Sequence, residues 1–300
     1  MYETIELFGQ KVDIKNSNCV KCGDEITRMP MKLNLYIKVT DICNAKCEVC
    51  SNKGNEKSGN IDLDKLKMVI KYLDDKGIIN RIGITGGEPM LEINKLNNLL
   101  NAIFEVKKDS MVTINTNGFR IKEILNLDSN KNIDGIHISR HHYNDDINNS
   151  FFGIETASNK DIEDFMKKVD NKKLLRLNCL LMKKYINNID EVSKYLDNAS
   201  LLNIFRVGFV SLMPINEISI ENFINFNDIF KDLPNRFLNT NNLHDFNICE
   251  CTNGLFLGYN GNIIEYYARM TKELNCEYAR QLVYTSDNKL TIGFNKKPLV

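Results

Sequence analysis

The chain carries 300 residues, 43% of them hydrophobic and 26% charged, the make-up of a soluble globular protein with room for one barrel-sized domain and a short appendage. Its 39 Lys and Arg balance 39 Asp and Glu, so no basic surplus points to nucleic acid or an anionic membrane surface. The amino terminus lacks a basic segment followed by an apolar core, and no apolar run approaches the ~20 residues of a membrane span, so the expected location is the cytoplasm.

Residues 1–30 read as an N-terminal segment bearing Cys19-Val20-Lys21-Cys22. From residue 31 to 232, short β-branched runs alternate with stretches of helical periodicity, the pattern of β-α units around a parallel sheet. The predicted strands are Leu33–Val39, Arg81–Thr85, Met111–Asn115, Gly135–Ser139, Leu174–Met182 and Phe205–Leu212. The predicted helices are Asp62–Lys76, Ile93–Lys107, Ile121–Leu127, Lys160–Val169, Ile189–Asn198 and Ile220–Lys231. Three loops follow strand carboxyl ends, Asp41–Gly59, Gly86–Glu92 and Arg140–Ser158, and sites in parallel α/β folds form at that edge. Residues 233–300 read as a small separate lobe, with Cys249, Cys251 and a hairpin over Leu255–Tyr266 turning at Asn260-Gly261.

Nine cysteines in an odd, clustered set suit metal or redox chemistry better than a disulfide framework. Cys43, Cys47 and Cys50 share one loop after the first barrel strand. Three thiolates can hold three corners of a cubane and leave the fourth iron open; a zinc loop is the competing reading, although structural zinc normally takes four ligands. Cys19, Cys22, Cys249 and Cys251 could form a second, fully ligated site, either a 4Fe-4S cluster or structural zinc. Cys179 lies in an apolar strand and reads as core. The run Ser139-Arg140-His141-His142-Tyr143 concentrates ionisable groups at a strand end. His141, His142 and Tyr143 are candidates for substrate contact or proton transfer, against the alternative of a solvated loop with His137 packed on the barrel.

The C-x3-C-x2-C spacing of Cys43, Cys47 and Cys50 resembles that of the radical S-adenosylmethionine (SAM) superfamily. Thr85-Gly86-Gly87-Glu88-Pro89 after the second strand resembles its GGEP motif, and Asn115-Thr116-Asn117-Gly118 after the third resembles its TNG segment. Val49 departs from the aromatic residue usual before the last cysteine. The resemblance implies an α/β fold with a partial (β/α)6 barrel, here with a short C-terminal auxiliary metal-binding lobe. It further implies a 4Fe-4S cluster on Cys43, Cys47 and Cys50, and SAM, whose reductive cleavage gives a 5'-deoxyadenosyl radical. Cofactor contacts would come from Thr85, Gly86, Gly87, Glu88 (the amino-group acceptor), Asn115, Thr116, Asn117, Ser139, Arg140 and Asn178.

The tail is similar to the twitch or SPASM extensions of members such as the GTP 3',8-cyclases, with Cys276 as a third cysteine at a different spacing, so the GTP substrate is not carried over. The expected substrate is a small metabolite such as a nucleotide or sugar. A peptide-modifying maturase is the alternative enzyme, and a non-catalytic Fe-S carrier or sensor is the reading from another class. An oxygen-sensitive enzyme drawing on a low-potential donor such as a flavodoxin follows from the same resemblance.

Overall fold

Apolar residues recurring at i, i+3, i+4 and i+7 give each long helix one buried stripe, and alternation in the strands gives the sheet one face to receive it. The computed structural model describes residues 2–15, 17–22, 25–30, 32–50, 52, 58–169, 175–204, 206–213, 216–230, 244–249, 252–259, 262–269, 279, 281–293 and 298–300, the side chains of 2, 15–30, 226–227 and 244–269 excepted. Two hairpins come first, β1 (Tyr2–Leu7) with β2 (Gln10–Lys15) and β3 (Ser17–Cys22) with β4 (Glu25–Pro30).

The barrel follows as β5 (Leu33–Lys38), α1 (Leu63–Asp75), β6 (Ile79–Thr85), α2 (Ile93–Val106), β7 (Met111–Thr116), β8 (Gly135–Ser139), α3 (Asp145–Phe152), α4 (Asn159–Lys168), β9 (Leu175–Leu181), α5 (Ile189–Leu201) and β10 (Arg206–Ser211). Strands β5 to β10 pair in parallel in chain order. This is an α/β chain with a partial barrel. Two short helices, α6 (Glu217–Glu221) and α7 (Phe226–Phe230), precede β11 (His244–Cys249), β12 (Thr252–Tyr259), β13 (Asn262–Arg269), β14 (Gln281–Tyr284) and β15 (Leu290–Ile292).

The core lies between the sheet and its helices. Leu66, Val69, Ile70 and Leu73 of α1 are buried, as are Leu96, Leu99, Leu100 and Ile103 of α2. They meet Ile82, Ile84, Val112, Ile114 and Ile136, which are almost fully buried, and each such side chain contributes roughly 1.5–3 kcal/mol. The opposite strand face is polar and lines the barrel lumen.

Three elements differ from expectation. Residues Ile121–Asn126 form a 3-10 turn rather than a helix; they follow Arg120 in the left-handed region, which supplies no side-chain cap to the first turn. The predicted helix over Ile220–Lys231 is broken into α6 and α7, and Lys231 lies outside the described residues. The Asn222 amide donates to the Ile218 carbonyl, the kind of local bond by which asparagine ends a helix. Inside the third loop, α3 begins at Asn144, whose side chain accepts from the Ile147 amide.

The C-terminal strands join the barrel sheet at both of its edges. β13 pairs in parallel with β10 and leads through β12 and β11 to β3 and β4; β14 pairs in parallel with β5. The predicted hairpin is β12 with β13, paired up to Tyr259 opposite Asn262, with Asn260 and Gly261 outside the described residues.

Candidate active site

The loop after β5 carries Cys43, Cys47 and Cys50 and lies on the loop after β6. Gly87 N–H donates to the Thr40 carbonyl at 2.7 Å and Glu88 N–H to the Ile42 carbonyl at 2.9 Å. A Cβ on Gly86 would stand 2.4 Å from the Thr40 carbonyl oxygen, and one on Gly87 would stand 2.0 Å from that of Ile42. Only glycine lets the two backbones approach this closely. On its other side the loop packs Ala45, Cys47 and Val49 against an apolar group of Phe151, Phe152, Met182 and Leu212, and Lys46 N–H donates to the Phe152 carbonyl.

All three thiols are free. Burial, then the neighbouring Cys50 and Cys43, pushes Cys47 up to about 12, and burial is also the main cause that raises Cys43. A bound cation would compensate the charge that burial disfavours on Cys43 and Cys47. Among the described residues no three His, Cys, Asp or Glu side chains converge on a single-ion position. Cubane ligands differ in this respect, since each thiolate serves its own iron.

Glu88 ties the second loop to the third. It is 1% exposed, and its carboxylate accepts from Met90 N–H at 3.0 Å, the Thr116 hydroxyl at 2.6 Å and Asn117 N–H at 2.7 Å. Asn117 then reaches the cysteine loop, its Nδ2 donating to Asn44 Oδ1 at 2.9 Å. Burial pushes the Glu88 carboxyl up to about 7 against the pull of these hydrogen bonds.

The loop after β8 is braced by side chains. Arg140, 1% exposed, donates to the Ala157 carbonyl, the Tyr143 carbonyl and Asp145 Oδ1 at 3.0, 3.1 and 2.5 Å. Asn148 Oδ1 accepts from the amides of His141 and His142. His141 packs against Phe151 and Phe152 in a three-ring cluster, at ring separations of 4.4 and 5.1 Å. Its Nδ1 accepts from Leu180 N–H at 3.2 Å, which places its proton on Nε2. Burial holds it neutral, pushed down to about 3. His142 Nδ1 accepts from Asn144 N–H, and the Tyr143 hydroxyl donates to Glu191 on α5.

Below the mouth, the lumen wall is polar. Arg81 Nη2 donates to the Tyr36 hydroxyl at 3.1 Å. Asn115 spends its Nδ2 on the Ile84 carbonyl and turns Oδ1 to His137 Nδ1 at 3.3 Å. Arg176 lies over Gly208, where a Cβ would stand 2.1 Å from Nη2. Burial first, then Arg176, Arg81 and Arg206, holds His137 well below the ordinary histidine range.

A family model described as the radical SAM superfamily matches residues 37–199, more than half of the chain. The chain belongs to that superfamily. The GTP 3',8-cyclase of Actinobacillus pleuropneumoniae serotype 7 is 26% identical over 197 residues, covering 62% of this chain and 55% of the relative. The probable GTP 3',8-cyclase of Sulfolobus acidocaldarius is 28% identical over 185 residues, covering 61% and 56%. The chain thus spans about half the length of these curated relatives. The crystal structure of Streptococcus suis SuiB bound to precursor peptide SuiA matches with a TM-score of 0.61 at 17% identity, over 89% of this chain and 62% of that one, a likeness of fold.

Radical SAM membership implies a 4Fe-4S cluster and SAM, and the residues present fit both. Three free thiols share one loop at the barrel mouth. On the lumen side, Asn178 Oδ1 is buried with no hydrogen-bond partner, beside Ser139 and Gly208 in the strand register. A buried acceptor left open in this way is what a ligand donor would satisfy.

The other candidate side chains also make contacts within the scaffold. Glu88 is buried and laces two loops, with two donors on Oε1 and one on Oε2. Arg140 gives Nη1 and Nη2 to its own loop, while its Nε is buried with no hydrogen-bond partner. Thr116, Asn117 and Asn115 likewise use their polar atoms within the scaffold. The Tyr143 hydroxyl is on Glu191, and His141 is buried with its Nδ1 on the Leu180 amide. Ser139, Thr85, Gly86 and Gly87 remain at the mouth.

Sequence reasoning missed Asn148, Lys38, Asn52 and Ser286, single polar residues with no local pattern to single them out. Cys251 and Cys276 lie outside the described residues. The backbones of Cys19 and Cys22 stand in β3 opposite Asn247 and His244 of β11, the strand that ends at Cys249.

Proposed function

We propose that this chain is a radical SAM enzyme acting on a small polar metabolite held in the barrel lumen. Cys43, Cys47 and Cys50 would hold the cluster, and SAM bound at its open iron would supply a 5'-deoxyadenosyl radical that takes a hydrogen atom from substrate, on one electron from a donor such as a flavodoxin. The chain's own residues position and exclude. The loops after β5, β6 and β7 are laced together so that the thiols keep one arrangement, Asn178 offers an acceptor to the bound cofactor, and Phe151, Phe152 and Met182 keep water from that flank.

The reading rests on the cysteine loop being laid, backbone against backbone, over Gly86 and Gly87 at the mouth of the half-barrel. The polar wall of Tyr36, Arg81, Asn115, His137 and Arg176 supports a small hydrogen-bonding substrate over an apolar one. The experiment is 5'-deoxyadenosine formation by anaerobically reconstituted protein with SAM and dithionite, beside a variant with Cys43, Cys47 and Cys50 all changed to Ala. Product from the native chain alone supports the reading; equal product from both, or failure of the native chain to bind SAM, contradicts it.

A peptide substrate is the second reading, favoured by the fold likeness to SuiB, whose structure holds a precursor peptide. A second metal site is also proposed. The pairing of β3 with β11 brings the Cys19 and Cys22 segment beside the strand that ends at Cys249, and Cys251 and Cys276 are the further thiols it would draw on. Iron in excess of one cluster would support a second cluster, and stoichiometric zinc the structural alternative.

A further inference from the structure

We propose that the turn between β14 and β15 is a clasp on the cysteine loop, and that Ser286, Asp41, Lys38 and Asn52 form one positioning path ending at the Cys50 sulfur. The proposal rests on the cluster reading above and assigns residues that the family motifs do not include.

The clasp begins with strand pairing. β14 adds to the sheet beside β5, the strand that runs directly into the cysteine loop, with Gln281 opposite Asn34 and Tyr284 opposite Ile37. The turn that follows therefore emerges at the barrel mouth, level with Lys38. It closes on itself through Thr285 and Asn288 and grips the loop at both ends. At the entrance, the Ser286 hydroxyl donates to Asp41 Oδ2 at 2.7 Å. At the exit, Asn288 Nδ2 donates to the Asn60 carbonyl at 2.9 Å, and Asp62 N–H donates to Asn288 Oδ1 at 2.7 Å. Between these, Gly59 presses on the turn so closely that a Cβ would stand 1.9 Å from the Ser286 carbonyl oxygen.

From Ser286 the path runs inward. Asp41 pairs with the Lys38 ammonium, and both are largely withdrawn from water, with Ser286 itself 2% exposed. Lys38 Nζ donates to Asn52 Oδ1 at 2.7 Å, and Asn52 Nδ2 returns a bond to the Asp41 carbonyl at 3.3 Å. The Asn52 backbone amide, so fixed, donates to Cys50 Sγ at 3.3 Å. Hydrogen bonds to cluster sulfurs are among the determinants of reduction potential, because they favour the more electron-rich reduced form. Coupled polar groups in a low dielectric hold one another in place, so a hydroxyl from the far end of the chain sets the geometry at one sulfur. Cys43 provides an internal contrast, since among the described residues its sulfur accepts from the nearby Ala45 amide, which no side-chain path fixes.

The experiment compares the native chain with Ser286→Ala, Lys38→Met and the double variant. Two quantities are read: the alkylation rate of each cysteine in the cluster-free full chain, by mass spectrometry, and the midpoint potential of the reconstituted cluster, by EPR-monitored titration. Both single variants should speed alkylation of Cys50 severalfold while leaving Cys43 nearly unchanged. Both should lower the potential, with a ceiling near a tenfold change in the reduced-to-oxidised ratio, which is about 59 mV for one electron. The double variant should do no more than the larger single change, because both cut the same path.

A folded Ser286→Ala chain with native alkylation and potential overturns the proposal, and so do shifts that add in the double variant or thiols that loosen equally at all three positions. Should Ser286→Ala fail to fold, Asp41→Asn, which keeps an acceptor for Ser286 but drops the charge facing Lys38, carries the same expectations. The alkylation readout needs no cluster, so a native chain that binds none would sink the radical SAM reading and leave the clasp to be judged on its thiol data.

Discussion

The two sides of the barrel mouth are held by different means. After β5 and β6 the loops lie backbone to backbone, with Gly86 and Gly87 against Thr40 and Ile42, and a single buried carboxylate, Glu88, ties in the loop after β7. After β8 the loop contains its own helix α3 and is held by side chains, with Arg140 and Asn148 each serving several partners. The first construction tolerates few residue types and leaves short motifs in the sequence. The second draws partners through Arg140 and Asn148 from residues 3 to 17 positions away, and through His141 and Tyr143 from 39 and 48 positions away, and leaves none.

The sharpest test of this contrast is Glu88→Ala. It strands three buried donors, Met90 N–H, the Thr116 hydroxyl and Asn117 N–H, and should cost roughly 3–5 kcal/mol, read as a shift of the urea midpoint. A loss below about 1 kcal/mol would show that the loops hold without Glu88.

The same residue makes a pH prediction. A carboxyl raised to about 7 in the folded chain contributes stability that is fully present below its unfolded value near 4.5 and is lost as pH rises through 7. The stability difference between native and Glu88→Gln chains should therefore move against the native chain across that window, by on the order of 3 kcal/mol. A flat difference would mean that the three donors win over burial and keep Glu88 ionised throughout.

On the other side, Arg140→Met removes the donor to two carbonyls and the counter-charge of Asp145, which keeps the Asn159 amide. Asp145 keeps a side-chain exposure of 35%, so solvent screens much of that loss and the cost should be about 2 kcal/mol. SAM affinity, measured by calorimetry on the folded variant, should change little. A tenfold loss of affinity with native stability would instead make Arg140 a cofactor ligand. The smallest effect belongs to His141→Phe, which keeps an aromatic ring against Phe151 and Phe152 but removes the acceptor for Leu180 N–H, at about 1 kcal/mol. NMR titration of the native chain should show no His141 transition between pH 5 and 8; a transition near 6.5 would restore it as a proton carrier.

What could be read from residues follows the same division. The six barrel strands and the helices after β5, β6 and β9 came from hydrophobic period, and the cysteine loop came from spacing. Asn144 followed by two acidic residues was a legible start for α3, masked by its position inside a segment read as loop. The roles assigned to Glu88 and Arg140 could not be settled from sequence, because a charged residue at a strand end reads alike whether it faces a ligand or its own scaffold. Ser286 stands 245 residues from Asp41, and no local pattern can announce such a contact. The place of β14 beside β5 was hidden for a related reason, since strand order across a sheet depends on partners remote in the chain.

The central claim is that the mouth holds a 4Fe-4S cluster with one iron open to SAM. The most direct measurement is the EPR spectrum of the reconstituted, reduced chain before and after SAM is added, with Cys43→Ala, Cys47→Ala and Cys50→Ala alongside. The account predicts a reduced-cluster signal in the native chain that SAM perturbs, and loss of the SAM-responsive component in each variant. A cluster signal that SAM leaves unchanged, or one that survives all three substitutions with its SAM response intact, would contradict it.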